Sequence, residues 1–228
     1  MKPILRTSLL LAVAAGIAAS PLQAAAVSHQ PPREGTPFSH LNTIQPVRES
    51  ARTEALEFFW YDCSHSQALE QPLQAWAERH RADVDLRRVP AIWPGSREET
   101  AQRGHARLYY TLERLGLVDR LQAGAFRAVH TEDQDLTTEA TATAWAQRQG
   151  VDQQRFREAY GSQQVAKAVD EAAELFVRHG INELPTVVVH GDARTSPTKA
   201  GGVEAMPGVM DRLVAEDQQR HPRAHTLF

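Results

Sequence analysis

The chain has 228 residues, 42% of them hydrophobic, with 25 basic and 28 acidic side chains and a single cysteine. That length can bury one substantial core without covalent staples, either as one domain or as a small domain carrying an insertion. The formal net charge of −3 gives no support to a nucleic-acid or anionic-membrane partner.

At the N-terminus, Lys2 and Arg6 accompany the short apolar run Ser8 to Ile17, and Leu22-Gln23-Ala24 supplies a small-residue cleavage site. The run falls short of the ~20 residues that a membrane-spanning helix needs. Residues 1–24 therefore read as a signal peptide, with no integral membrane segment left after cleavage. Its removal takes Lys2 and Arg6 and no acid, so the charge becomes 23 − 28 = −5. Exported proteins meet an oxidising compartment where cysteines usually pair. A lone Cys63 is then buried and inert, bonded to another molecule, or reactive.

Residues 25–50 are rich in Pro, Ser and Gly without a sustained period, and read as an extended leader, either a linker or an arm on the core. Ala55 to Trp60 (ALEFFW) is a nearly continuous apolar run, the pattern of an interior strand buried on both faces. Ser64 to His80 follows with Leu69, Leu73, Trp76, Ala77 and His80 at helical spacing, so Cys63 stands where a strand feeds a helix. Pro72 inside that helix predicts a bend. Asp83 to Val89 is a second strand, stopped by Pro90 and Trp93-Pro94-Gly95.

From Arg97 to Ser162 the pattern changes to helices with stop signals: Arg97 to Leu115, Thr138 to Gln149, and a short helix capped by Asp152 and running through Tyr160. Gln163 to His179 carries one apolar stripe. Leu184-Pro185 then introduces the buried strand run Thr186 to Val189. His190-Gly191-Asp192-Ala193 reads as a hairpin turn into a last strand near Arg194 to Ser196, and Gly208 to Arg220 as a closing helix. Tyr109 and Tyr110 read as core, and Arg87 and Arg88 as solvated charges.

Glu57-Phe58-Phe59-Trp60-Tyr61, the segment Cys63-Ser64-His65-Ser66, and Leu184-Pro185-Thr186 entering a strand about 120 residues later resemble the DsbA family of periplasmic thiol-disulfide oxidoreductases. Arg107 to Leu112 and Arg194-Thr195-Ser196-Pro197 extend the likeness over roughly residues 35–216. The resemblance implies an α/β thioredoxin fold interrupted by an α-helical subdomain, with residues 51–96 and 163–228 forming the fold and 97–162 the insertion. It also implies a cis Pro185 beside the reactive thiol, with Leu184, Pro185 and Thr186 binding substrate, and a periplasmic location. The family's Cys-Pro-His-Cys is here Cys-Ser-His-Ser, preceded by Asp62 instead of the usual glycine.

The chemistry of one thiol follows from that placement. A helix N-terminus favours the thiolate through its unsatisfied N–H groups and dipole. A protonated His65 would add to this, whereas Asp62 opposes it by charge repulsion, or by taking the same N–H groups as an N-cap. Ser66 can hydrogen-bond towards the sulfur but cannot attack a disulfide, which removes the intramolecular resolving step. Cys63, His65 and Ser66 are the candidate catalytic residues of a monothiol exchanger, isomerase-like shuffler or trap, with Asp62 modulating. Expected partners are cysteine-containing exported proteins, with a membrane redox protein or glutathione as exchange partner; no resident cofactor is expected.

Two other classes share these features: a client-binding module using the groove beside Pro185, and a glutathione-dependent transferase or isomerase that uses Ser66. Among ten histidines only His221 and His225 share an i, i+4 spacing, and no metal site is expected from it.

Overall fold

The computed structural model describes residues 36–221. The signal segment, the first part of the leader and His225 lie outside the described residues.

The organising element is the strand Thr53–Phe59 (β2), buried at all seven positions. It pairs in parallel with Val84–Pro90 (β3), from Thr53↔Val84 to Phe59↔Pro90. On its other edge it pairs antiparallel with Thr186–Val189 (β4), in the register Phe58↔Thr186 to Ala55↔Val189. The helix Ser64–Arg79 (α1) connects β2 to β3 and runs unbroken through Pro72. Ala193–Thr195 (β5) follows β4 as a hairpin, and Ser39–His40 (β1) adds an antiparallel edge, giving the order β1-β5-β4-β2-β3.

Because strand side chains alternate, the central strands feed two cores. Leu56, Phe58 and Val188 point to one cluster, shared with the helices that follow β3. Ala55, Val187 and Val189 point to the other, closed by Leu69, Leu73 and Trp76 of α1 and by Val209, Met210 and Leu213. The latter three belong to the last helix, Met206–Arg220, called α8 below.

Five helices lie between β3 and β4: Glu99–Arg114 (α2), Val118–Phe126 (α3), Glu139–Arg148 (α4), Gln153–Tyr160 (α5) and Gln163–Arg178 (α6). Asp152 caps α5 by accepting from the Arg155 N–H, as its sequence position predicts. The sequence reading places no helix between Leu115 and Thr138, where the structure has α3 and the single π-helical turn Arg127–Thr131 that continues it. A four-residue helix, Pro197–Ala200 (α7), precedes α8, which starts two residues before the expected Gly208. Tyr109 and Tyr110 are buried, in agreement with their reading as core.

The described part of the leader is an ordered arm. Beyond the β1–β5 pairing, the Leu41 N–H donates to the Asp192 carbonyl and the Gln45 N–H to the Gly191 carbonyl, and Leu41 is buried. The β4–β5 turn has positive φ at both His190 (49°) and Gly191 (66°), the mirror-type turn that matches strand twist. A Cβ at residue 191 would collide with the Gln45 carbonyl, so glycine is required both by the turn and by the arm packed on it.

Gly191→Ala is expected to cost about 2–4 kcal/mol and to open the arm to protease near residues 41–47. Gly116→Ala, at a positive φ of 69° with no atom in the way, should cost only about 1 kcal/mol. Urea unfolding of the two variants, with limited proteolysis, measures the difference; equal costs would show that the arm does not bear on residue 191.

Candidate functional site

Two chain segments 121 residues apart meet at the C-terminal end of β2. Strand β2 ends at Phe59, and after a tight connection Cys63 becomes the N-cap of α1, with extended φ and ψ of −126° and 115°. The Cys63 side chain makes no capping hydrogen bond, and the half-buried thiol stands at the helix end whose first N–H groups lack intrahelical partners. The Phe58↔Thr186 pairing brings the segment before β4 alongside. There the Leu184–Pro185 peptide is cis, and the Cys63 Sγ lies 3.8 Å from the Leu184 carbonyl oxygen, oriented to donate its thiol proton.

Sequence reasoning missed Glu183, which holds this loop. Its carboxylate accepts from Ser196 Oγ (2.6 Å), Thr198 N (3.0 Å) and Thr198 Oγ1 (2.6 Å), and its carbonyl accepts from Thr186 Oγ1 (2.6 Å). Burial opposes ionisation, but the Ser196 and Thr198 hydrogen bonds outweigh it, and with the charge of His65 they hold the Glu183 carboxyl below its ordinary value. His65 itself is exposed.

Asp62 does not take the N-cap position. Its carboxylate faces outward, more than half exposed, and lies 3.4 Å from His130 Nδ1 in the π-helical turn. Gln67 Nε2 donates to Thr131 Oγ1 of the same turn at 2.8 Å. The first turn of α1 is thereby tied to the helical region, at a π-helical irregularity of the kind often found at functional sites.

Ser66 is completely buried. Its oxygen accepts from the Trp60 N–H at 3.4 Å, and among the described residues it makes no hydrogen bond to Cys63. Trp60 in turn donates from Nε1 to His105 Nδ1 at 2.9 Å. An indole N–H can only donate, so His105 must be neutral there. Burial pushes the pKa of His105 down to about 4, against smaller opposing contributions from Asp62 and Asp135.

Beneath the motif lies a buried ion cluster. Arg88 is not a solvated charge: it is 8% exposed, with Nε 3.3 Å from Glu57 Oε2 and Nη2 3.3 Å from Glu70 Oε1. The alternation of β3 points its guanidinium under α1, whereas Arg87 points away and stays partly exposed near Glu54. Two carboxylates share one guanidinium, and neither Glu57 oxygen has a hydrogen-bond partner among the described residues. Burial, together with the neighbouring Glu70 and against the attraction of Arg88, raises the Glu57 carboxyl to about 8. Glu70 is raised too, by burial. For Arg88 burial works downward, and the two glutamates overcome it.

This arrangement defines a class. A central βαβ unit with a thiol at the first turn of its helix, facing a cis-proline loop, is a thioredoxin fold, here carrying a helical region between β3 and β4. The model of the DSBA-like thioredoxin domain matches residues 62–213, two thirds of the chain, and the chain belongs to that family. A thiol:disulfide interchange protein DsbA from Burkholderia cepacia is 33% identical over 223 residues, covering 96% of this chain and 99% of the relative. One from Azotobacter vinelandii is 31% identical over 196 residues, covering 86% and 89%. The crystal structure of Pseudomonas aeruginosa DsbA superposes with a TM-score of 0.75 at 28% identity, covering 82% of this chain and 94% of that one.

Glu57 binds a proton in the fold that it releases on unfolding above its ordinary value of 4.5. Its contribution to stability is therefore complete below pH 4.5 and is lost as pH rises towards about 8. Glu57→Gln should change stability little at pH 5 and raise it by about 1–3 kcal/mol at pH 8, measured by denaturant unfolding at both values. A variant that destabilises equally at both would show that Glu57 is ionised in the fold.

Proposed function

We propose that this chain carries out thiol–disulfide exchange through Cys63 alone, forming mixed disulfides with cysteine-containing exported proteins in the periplasm and releasing them to an external thiol. Family membership supports the exchange activity. Support for the single-thiol form comes above all from Ser66, which occupies the place of a resolving sulfur, sealed beneath Trp60.

The steps balance without a resident cofactor. The Cys63 thiolate attacks one sulfur of a client disulfide, forming the Cys63–client bond and expelling the second client sulfur as a thiolate. A second thiolate, from glutathione, a membrane redox protein or the client itself, then attacks the mixed disulfide and returns Cys63 as a thiolate. If the client's own thiolate attacks its half of the bond, the outcome is isomerisation. The N-terminal N–H groups of α1 stabilise the sulfur anion at both ends of the cycle. The cis Leu184–Pro185 segment lies alongside, placed to hold an extended client next to Sγ, and His65 supplies positive charge when protonated. No helix among the described residues is long and apolar enough to cross a membrane.

Cys63→Ala should abolish mixed-disulfide formation with glutathione disulfide and with scrambled ribonuclease, as followed by mass spectrometry. Ser66→Cys should introduce an internal disulfide and dithiol oxidase activity that the natural chain lacks. Exchange that survives Cys63→Ala would refute the assignment. Client binding that survives it while exchange is lost would favour the client-binding module, and glutathione binding lost in Ser66→Ala but kept in Cys63→Ala would favour the transferase.

A further inference from the structure

The opposite end of β4 gathers a second set of chemically active side chains. Asp217, in the last turn of α8, is 1% exposed. Its Oδ2 accepts from Thr53 Oγ1 at 2.9 Å, which fixes the carboxylate plane. Its Oδ1 lies 2.9 Å from His221 Nδ1, one helical turn on, and 3.6 Å from His190 Nδ1 in the β4–β5 turn. The two imidazoles stand 4.7 Å apart at 34°, and one donor atom from each of the three residues falls within 4.8 Å of the others. His190 occupies the left-handed region with φ 49°, a conformation that costs a non-glycine residue energy and that directs this ring at the carboxylate.

We propose that His190, Asp217 and His221 form a binding site for a divalent late-transition-metal cation, with Zn²⁺ as its natural occupant. Two imidazole nitrogens and one carboxylate oxygen are a donor set that zinc takes at about 2.0–2.2 Å, and nitrogen donors exclude Mg²⁺ and Ca²⁺ as competitors. Donor separations of 2.9 and 3.6 Å bracket the edge of a tetrahedron with bonds of about 2 Å, so small side-chain shifts suffice. Thr53 plays the part of the outer partner that orients a metal-bound carboxylate. The carbonyl end of α8 adds negative potential where the cation would sit. His221 is about half exposed, which leaves an entry path and room for a water as fourth ligand. The ion would staple the end of α8 to the β4–β5 turn, and through Thr53 to β2. Four-residue β4 separates the site from the proline loop by about 10–13 Å, so it is independent of the thiol.

The test is isothermal titration of the untagged mature chain with ZnCl2, paired with thermal unfolding. One equivalent should bind with a dissociation constant in the micromolar range or below, raise Tm with increasing zinc, and do the same in Cys63→Ala, which removes the competing thiolate. His221→Ala and His190→Ala should each weaken binding at least about tenfold, and MgCl2 should give neither heat nor a shift in Tm. His221→Ala removes a 2.9 Å partner of the buried Asp217 carboxylate and should lower the zinc-free Tm, so its titration is run well below that Tm, where circular dichroism should match the natural chain. Absence of zinc binding, binding undiminished in the His190→Ala/His221→Ala double variant, or binding lost in Cys63→Ala would each overturn the assignment.

Discussion

The site depends on one pairing, the antiparallel register of β2 against β4. Phe58 opposite Thr186 brings residue 185 level with the end of β2, and so places the proline loop against the first turn of α1. A slip of one residue would turn Leu56 and Phe58 towards the other core, and both faces of these strands are packed. The core therefore enforces the register, and the register sets the distance between Cys63 and the Leu184 carbonyl.

The same strand carries the electrostatic counterweight. Glu57 sits two residues before the end of β2 with its oxygens sealed in, and Arg88 is its register partner on β3. Replacing such a cluster with apolar residues of similar volume often leaves a protein no less stable. Its position directly below α1 gives the motif a floor whose charge depends on protonation, while Trp60 and Asp62 fasten the motif to the helical region above. The first turn of α1 is thus held from below by a charge cluster and from above by the Trp60–His105 and Asp62–His130 contacts.

Much of this was legible in the sequence. The aromatic run before Cys63 marked an interior strand because a strand buried on both faces has no polar alternation to hide, and Leu184-Pro185-Thr186 marked the facing loop. What was not legible depended on partners distant in the chain. Arg88 looks solvated in a sequence window because its carboxylates lie on β2 and α1, 31 and 18 residues away. Asp62 carries the composition of an N-cap, yet its side chain turns to His130, 68 residues on. Glu183 and Asp217 take their defining partners from distant segments, Ser196 and Thr198 for the one and Thr53 and His190 for the other; the i, i+4 spacing of Asp217 and His221 was the one local signal. His221 was weighed against its neighbour in sequence, His225, and not against a histidine in a turn 31 positions earlier.

The burial of Ser66 also bears on timing. In a two-cysteine relative, the lifetime of a mixed disulfide is limited from within, because the second sulfur is always present at the same distance. Here that position is filled by a hydroxyl turned to the Trp60 N–H. On the single-thiol reading proposed above, the resolving sulfur comes from the client or from a thiol in solution. The duration of an adduct that its client does not resolve would then follow the concentration and redox poise of thiols in the surrounding compartment, longest where reducing equivalents are scarcest.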